Sequence, residues 1–232
     1  MKMNSHRLFE LFGIAVFGAY AGLLAWRLFG IIETPSNALI LFLAAFIGYC
    51  LADIISGLVH WFADTYFHDE TPILGPNFVK PFRFHHVDPK EITTHDFVEV
   101  NGNNSIVSFW VLMWAFHGRD ASLGDSTDIF WMGLALFSML GILATNQFHK
   151  WAHTDEVTMP VRWLQNLGLI LSADHHAVHH VRPHDEYYCI TVGWFDWTFK
   201  KLRFFRGLEW FFNRILRLSI TAPDRKPSSG RS

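Results

Sequence analysis

The chain carries little charge and almost no cysteine. Only 17% of its 232 residues are Asp, Glu, Lys or Arg, and the formal net charge is -2. This balance gives no basic surface of the kind that nucleic acid requires, so a nucleic-acid partner is excluded. The two cysteines, Cys50 and Cys189, are too few for a disulfide framework or a cysteine-based zinc site.

Several common catalytic motifs are also missing. There is no H-E-x-x-H, so the glutamate base of a zinc metalloprotease is absent from its expected place. No G-x-S-x-G, P-loop or dinucleotide-binding fingerprint occurs either. The chemistry of this chain must therefore be sought in other residue types.

The chain is rich in long apolar runs. Half of it is hydrophobic, with 23 Phe and 10 Trp. The runs predict four membrane-spanning helices, of which the third is short, at residues 8–32, 38–62, 105–117 and 127–148. We therefore predict an all-α integral membrane protein with a four-helix transmembrane bundle. Its single domain would cover residues 1–220, followed by a disordered tail at 221–232.

The distribution of positive charge predicts the topology. Lys and Arg are abundant after the second and fourth spans and scarce after the first and third, which places the N-terminus in the cytoplasm. All the histidines except His6 and His117 then lie at or beyond the cytoplasmic ends of the spans. We expect a multi-pass protein with a histidine-rich cytoplasmic cap, in the inner membrane of a bacterium or the endoplasmic reticulum membrane of a eukaryote.

Histidine is densest at residues 174–184, which read D-H-H-A-V-H-H-V-R-P-H. His175 and His179 are four residues apart, as are His176 and His180, so each pair shares one face of a helix. Two neutral imidazoles one turn apart can bind one metal ion. The overlapping spacings suggest that neighbouring rings face different metals. The alternative, a histidine-rich polar surface, is disfavoured because similar pairs recur in the chain.

Three further pairs have the same character: His60 with Asp64, His85 with His86, and His149 with His153. Taken singly, a loop pair is often solvated and a pair at the end of a span is often an interface anchor. Asp53 lies two helical turns before His60, inside the second span. An acid there is costly and indicates a functional role or a hydrogen bond to a neighbouring helix.

Together these stretches offer nine histidines and one aspartate. That is more than the four ligands of a single zinc ion, and it suffices for two five-coordinate or octahedral metals. Imidazole-rich sites with open positions suit iron and oxygen chemistry. Beside a membrane, such a di-metal site would act most naturally on a lipid chain.

The motifs closely resemble those of the plasmanylethanolamine desaturase (Kua) family of membrane lipid desaturases. The segments that carry the resemblance are His60-Trp61-x-x-Asp64-Thr65, Pro81-Phe82-Arg83-x-His85-His86-x-Asp88-Pro89, Ile92-Thr93-x-His95-Asp96-Phe97, Thr145-Asn146-Gln147-x-His149-Lys150-Trp151-x-His153 and His175-His176-x-x-His179-His180-Val181-x-Pro183-His184. They follow the order and spacing of the family from about residue 52 to residue 197.

The resemblance implies an O2-dependent di-iron oxidoreductase of plasmalogen biosynthesis. Such an enzyme removes two hydrogens from the 1-O-alkyl chain of an ethanolamine ether lipid and forms a vinyl ether. Its cofactors would be two iron ions, with O2 as co-substrate. Its partners would be a membrane phospholipid and an electron donor such as cytochrome b5, or a ferredoxin with its reductase. Metal is required because no side-chain acid or base abstracts hydrogen from an unactivated C–H bond.

The resemblance also implies which residues form the site. The implied metal ligands are His60, Asp64, His85, His86, His149, His153, His175, His176, His179 and His180. The residues implied or expected to orient these ligands through hydrogen bonds are Asp53, His95, Asp96 and His184. His68 lies outside the pattern.

Other functions share part of this pattern. Plastid members of the same family place a trans double bond in an acyl chain of phosphatidylglycerol, and a histidine-rich lipid hydroxylase would use the same oxidant. A metal-binding membrane transporter or sensor is the non-enzymatic alternative. A transporter should place ionisable groups near the bilayer midplane between repeated units, and no repeat is visible in this sequence.

Overall fold

A computed structural model describes residues 5–118 and 125–225. Within these ranges the regular structure is helical and there is no strand, in agreement with the predicted all-α class. The helices are α1 (Ser5–Gly30), α2 (Pro35–Thr65), α3 (Lys80–Val87), α4 (Glu91–Thr94), α5 (Phe97–His117), α6 (Ser126–His153), α7 (Met159–Asn166), α8 (Ala173–His179), α9 (Asp196–Lys201) and α10 (Phe204–Arg214). A π-helical turn, Gly75–Val79, leads into α3.

Three helices, α1, α2 and α6, are long and apolar enough to cross a membrane. α2 and α6 contain the second and fourth predicted spans, and α1 covers the first except for its last two residues. Many of their large apolar side chains, such as Trp26 on α1 and Phe42 on α2, are exposed on the surface of the protein. Such a surface requires a lipid environment, which is consistent with a membrane protein.

The predicted third span, 105–117, is the C-terminal part of α5. This helix begins at Phe97, eight residues before the predicted start, and it is not among the three long apolar helices. Three of the four predicted spans thus coincide with helices that are long and apolar enough to cross a membrane. The residues between the third and fourth predicted spans, 118–126, lie largely outside the described residues.

Asp96 explains the early start of α5. Its side chain accepts hydrogen bonds from the backbone N–H groups of Val98 and Glu99, at 2.9 and 3.1 Å, and Glu99 accepts one in return from the Asp96 N–H. Arg7 donates to the same carboxylate at 2.8 Å. These contacts, above all the hydrogen bond from Arg7, lower the pKa of Asp96 to about 2. Asp96 therefore caps a helix, and its predicted role in orienting a metal ligand stays a prediction.

Asp96→Ala should lower the melting temperature of the protein, because the helix loses its cap. Thermal unfolding of the detergent-solubilised chain measures the change, with Glu33→Ala as an exposed acidic control. Since the pKa of Asp96 is depressed on folding, its contribution is present above the ordinary carboxylate pKa and is lost as the pH falls toward 2. Equal melting temperatures for the two variants would contradict the capping role.

The chain forms two compact units. The first comprises Met1–Asp53 and His95–Gln147, and the second Ile54–Thr94 and Phe148–Ser232. In the first unit α1 packs along α5. Its core is largely aliphatic, and the side chains that are fully enclosed there include Leu24, Leu112, Ile129 and Met132.

The second unit contains a buried cluster of aromatic side chains. Trp61, Tyr66 and Tyr188 are buried, and the Trp61 ring lies 5.7 Å from the ring of Phe205 on α10. Close aromatic pairs of this kind add stability beyond the area that they bury. This cluster packs against the end of α2, which carries His60 and Asp64.

The first residues of the predicted disordered tail have partners in the structure. Residues 221–225 pack in the second unit, where the Thr221 N–H donates to the Thr65 carbonyl at 2.9 Å. Arg225 is buried and pairs with Glu209 at 2.5 Å. The composition of the segment indicates a polar tail, but the buried Glu209 provides a partner for Arg225 and holds the segment in place. Residues 226–232 lie outside the described residues.

Candidate metal centre

All ten predicted ligands belong to the second unit. His60 and Asp64 lie on the last turns of α2, His85 and His86 on α3, and His149 and His153 on the last turn of α6. The remaining histidines lie on α8 or at its end. Ser172 starts α8, because its hydroxyl accepts a hydrogen bond from the His175 N–H.

Five histidines form the first group: His85, His149, His153, His176 and His180. The Nε2 atoms of four of them make a closed ring. The Nε2 atom of His149 is 2.9 Å from that of His85 and 2.8 Å from that of His176. The Nε2 atom of His180 is 3.1 Å from each of the same two atoms. Four ring nitrogens thus converge on one point.

These spacings match those of ligands around one metal ion. When the nitrogen–metal–nitrogen angle is a right angle and each nitrogen is about 2.1 Å from the metal, the two nitrogens lie about 3.0 Å apart. Hydrogen bonds do not explain the ring equally well, because a neutral imidazole has a single N–H to donate. The first group can therefore hold a metal ion.

His153 completes the first group. Its ring centroid lies 4.4 Å from that of His85 and 4.7 Å from that of His176. Its Nε2 atom is buried and has no hydrogen-bond partner among the described residues. A buried polar atom without a partner is costly, so a fifth metal–nitrogen bond would account for its position.

Asp64, His60, His86 and His179 form the second group. One carboxylate oxygen of Asp64, Oδ2, lies 3.3 to 3.5 Å from the Nε2 atoms of all three histidines. The Nε2 atoms of His86 and His179 are 3.0 Å apart. Both Asp64 oxygens are buried without a hydrogen bond from any described residue. This group too has the donors for one metal ion.

Backbone carbonyls fix two rings of the second group. His60 donates from Nδ1 to the Tyr188 carbonyl at 3.1 Å, and His179 donates from Nδ1 to the Glu186 carbonyl at 2.8 Å. Because Nδ1 carries the proton, the Nε2 lone pair of each ring is available to a metal. The segment after α8 thus orients ligands on α2 and α8.

Burial keeps the imidazole rings of the histidines on α3, and of those on α8 or at its end that belong to the two groups, in the neutral form. It lowers the pKa of His86 and His180 to about 3 and that of His179 to about 4. It also lowers the pKa of His85 and His176 well below the ordinary value. Only a neutral imidazole has a lone pair for metal, so the buried setting suits coordination.

His175 departs from the prediction and belongs to neither group. Its Nε2 atom contacts Asp196 Oδ2 at 2.8 Å, and Asp196 Oδ1 accepts a hydrogen bond from the Cys189 N–H. Gly193 lies against the ring at a φ of +91°, and a Cβ at this position would overlap it. The sequence spacing did not distinguish His175 from its neighbours, because the buried carboxylate of Asp196 is distant in sequence.

His175→Asn should therefore leave the metal content unchanged. It should lower stability by about 1–3 kcal/mol, because the buried Asp196 carboxylate loses a hydrogen bond. Metal analysis and thermal unfolding of the same preparation measure both quantities, and Asp196→Asn should behave in the same way. If His175→Asn lost a metal ion, that result would show that His175 is a metal ligand after all.

The other residues predicted to orient ligands have different positions. The His184 ring stacks on His86 with centroids 4.2 Å apart, and its Nδ1 atom donates to the His179 carbonyl at 3.1 Å. It is thus placed to orient ligands of the second group. Asp53 and His95 belong to the first unit, where Asp53 is fully buried and His95 lines a cavity of about 290 Å³. Neither is a member of the two groups.

Comparison with known proteins identifies the family of the chain. The family model of the lipid desaturase domain matches residues 49–220. The chain is 42% identical over 204 residues to plasmanylethanolamine desaturase of Myxococcus xanthus, covering 88% of this chain and 70% of that protein. It is 42% identical over 166 residues to plasmanylethanolamine desaturase 1 of Mus musculus, covering 70% of this chain and 61% of that protein.

A more distant relative is the chloroplastic fatty acid desaturase 4 of Arabidopsis thaliana. The identity is 33% over 173 residues, which are 73% of this chain and 51% of that protein. No solved structure matches the chain. Since the family model covers most of the sequence, the resemblance found in the histidine motifs is confirmed, and the chain belongs to the lipid desaturase domain family.

Proposed function

We propose that the protein is a di-iron membrane desaturase that converts plasmanylethanolamine into the corresponding vinyl ether lipid. As a lipid desaturase it is an oxidoreductase, and the two relatives named above as plasmanylethanolamine desaturases suggest the substrate. The observation that carries the proposal is the ring of four Nε2 atoms in the first group, beside a second group of three histidines and one carboxylate.

The donors of both groups fit iron. They are imidazole nitrogens and one carboxylate oxygen, with no thiolate, and such sets suit iron in oxygen chemistry. In the first group the ligands would be His85, His149, His153, His176 and His180. In the second they would be His60, Asp64, His86 and His179. When bound, the two iron ions supply the activation of O2 and the removal of hydrogen from the alkyl chain.

The chain's own residues hold this centre and keep water away from it. His60 and His179 are fixed by carbonyl acceptors, so their Nε2 atoms need no rearrangement to bind metal. Asp64 supplies the negative charge that partly balances two cations. Burial of His149 and His176 excludes bulk water, which limits side reactions of a strong oxidant.

The overall reaction needs reducing equivalents. Two hydrogens leave adjacent carbons of the alkyl chain and a carbon–carbon double bond forms. O2 is reduced to two molecules of water with two electrons and two further protons. The electrons must come from another protein, and a cytochrome b5 or a ferredoxin with its reductase would supply them.

We propose the following membrane arrangement. α5 would act as the fourth span, and residues 1–220 would form one desaturase domain. The positive charges after α2 and α6 favour a cytoplasmic location for both histidine groups. The membrane would be the inner membrane in a bacterium and the endoplasmic reticulum membrane in a eukaryote.

Lipid mass spectrometry of a plasmalogen-lacking host that expresses the chain tests the function. We expect an ethanolamine lipid lighter by two hydrogens and with an acid-labile vinyl ether. A product heavier by one oxygen would indicate a hydroxylase, and an altered acyl chain in phosphatidylglycerol would indicate the other desaturase activity. An unchanged lipid profile would contradict all three enzymatic functions and favour a metal transporter or sensor.

A further inference from the structure

The second unit contains a cavity of about 520 Å³ beside the first histidine group. His153, one of the five histidines, forms part of its wall. The Lys90 ammonium, also in the wall, donates a hydrogen bond to the His153 carbonyl at 2.8 Å. A proposed metal ligand, His153, therefore lies in the wall of the cavity.

The charged side chains of this cavity are balanced. Lys90 and Lys150 provide two positive charges, and Asp155 and Glu156 provide two negative ones. Lys90 forms an ion pair with Asp155, in which both side chains are largely exposed to solvent. Exposed ion pairs contribute little to stability, so a charged ligand can exchange with either partner.

The position of the reacting bond limits where the headgroup can lie. In an ether lipid the vinyl ether forms at the alkyl carbon that is bonded to the ether oxygen. Only the glycerol backbone separates this carbon from the phosphate. The phosphate and ethanolamine must therefore lie close to the metal ions while the alkyl chain reacts, in a polar space next to their ligands.

The cavity also borders an apolar surface suited to lipid. Val161 of α7 lines the cavity, and α7 and the residue after it expose Met159, Trp163 and Leu167. A short helix with such a face lies favourably at the boundary of headgroups and acyl chains. A lipid can thus keep its chains in the membrane while its headgroup enters the cavity.

We propose that this cavity binds the phosphoethanolamine headgroup of the lipid substrate. Lys90 and Lys150 contact the phosphate, and Asp155 and Glu156 contact the ammonium group, so a zwitterion replaces the Lys90–Asp155 pair. The two acidic side chains then favour the primary ammonium of ethanolamine, which donates hydrogen bonds. The quaternary ammonium of choline has no N–H and is disfavoured. This inference rests on the proposed function and assigns its headgroup specificity.

The test compares two substrates in membranes from the plasmalogen-lacking host. The membranes receive equal amounts of ethanolamine and choline ether lipids, and vinyl ether products are measured by mass spectrometry. The double variant Asp155→Asn, Glu156→Gln should lower the ethanolamine-to-choline product ratio about tenfold through a higher KM for the ethanolamine lipid. Its iron content should equal that of the wild type.

Two further variants sharpen the result. Lys150→Met should raise KM for both lipids alike, because both contain a phosphate. Glu70→Gln makes the same carboxylate-to-amide change at an exposed position outside the cavity and should leave the ratio unchanged. An unchanged ratio in the double variant, or loss of both products together with iron, would overturn the headgroup site. Absence of vinyl ether from wild-type membranes would instead refute the proposed function.

Discussion

Replacing His149 by alanine is expected to remove one metal ion from the protein and to lower vinyl ether formation by on the order of 100-fold or more. The Nε2 atom of His149 lies within 2.9 Å of two other ring nitrogens, so it is a central member of the first group. Its imidazole is buried, so water does not readily take its place.

Metal analysis of the purified variant and lipid analysis of the complemented host measure the two effects of His149→Ala. His68→Ala is the matched control, because His68 is exposed and outside both groups. The control should retain both metal ions and full activity. If the His149→Ala protein kept both metals and made normal amounts of product, that result would show that His149 is not a metal ligand.

Asp64→Asn is the second change with a large expected effect. Asp64 provides the single carboxylate among the nine donors of the two groups, and its Oδ2 atom faces three histidines. An amide has nearly the same shape but no negative charge, so it binds a hard cation much less strongly. We expect the second metal ion to be lost, with activity lowered by on the order of 100-fold or more.

The first group should keep its metal ion in Asp64→Asn, because all five of its histidines remain. Metal analysis should therefore give about half of the wild-type content rather than none. Asp174→Asn makes the same change at an exposed residue of α8 and should be neutral. Full metal content in Asp64→Asn would show that the carboxylate is not a ligand.

The sequence was informative about which histidines approach one another because helical spacing is local. Residues four apart on a helix share a face, and this rule pairs His176 with His180 and His149 with His153, as the structure does. The expectation that neighbouring rings face different metals also agrees with the placement of His179 and His180 in separate groups.

Long-range partners could not be read from the sequence. His175 has the same spacing as the other histidines of α8, but the buried Asp196 carboxylate takes it away from both groups. The carbonyl groups that orient His60 and His179 belong to the backbone, and no residue type marks them. The docking of Arg225 on Glu209 depends on tertiary structure in the same way.

Helix ends were the weakest part of the predicted fold. Hydropathy locates the apolar middle of a span, whereas polar caps determine where the helix begins. α5 starts at Phe97 because Asp96 and Glu99 form a capping box, upstream of the apolar run. The same polar start explains why α5 does not resemble the three long apolar helices.

Iron analysis of the purified wild-type protein tests the central claim most directly. Protein solubilised in detergent and loaded with ferrous iron under anaerobic conditions should contain two iron ions per chain, and Asp64→Asn one. Protein that retains no iron after loading, or that binds two iron ions equally well when both His149 and Asp64 are replaced, would contradict a di-iron centre formed by the two groups.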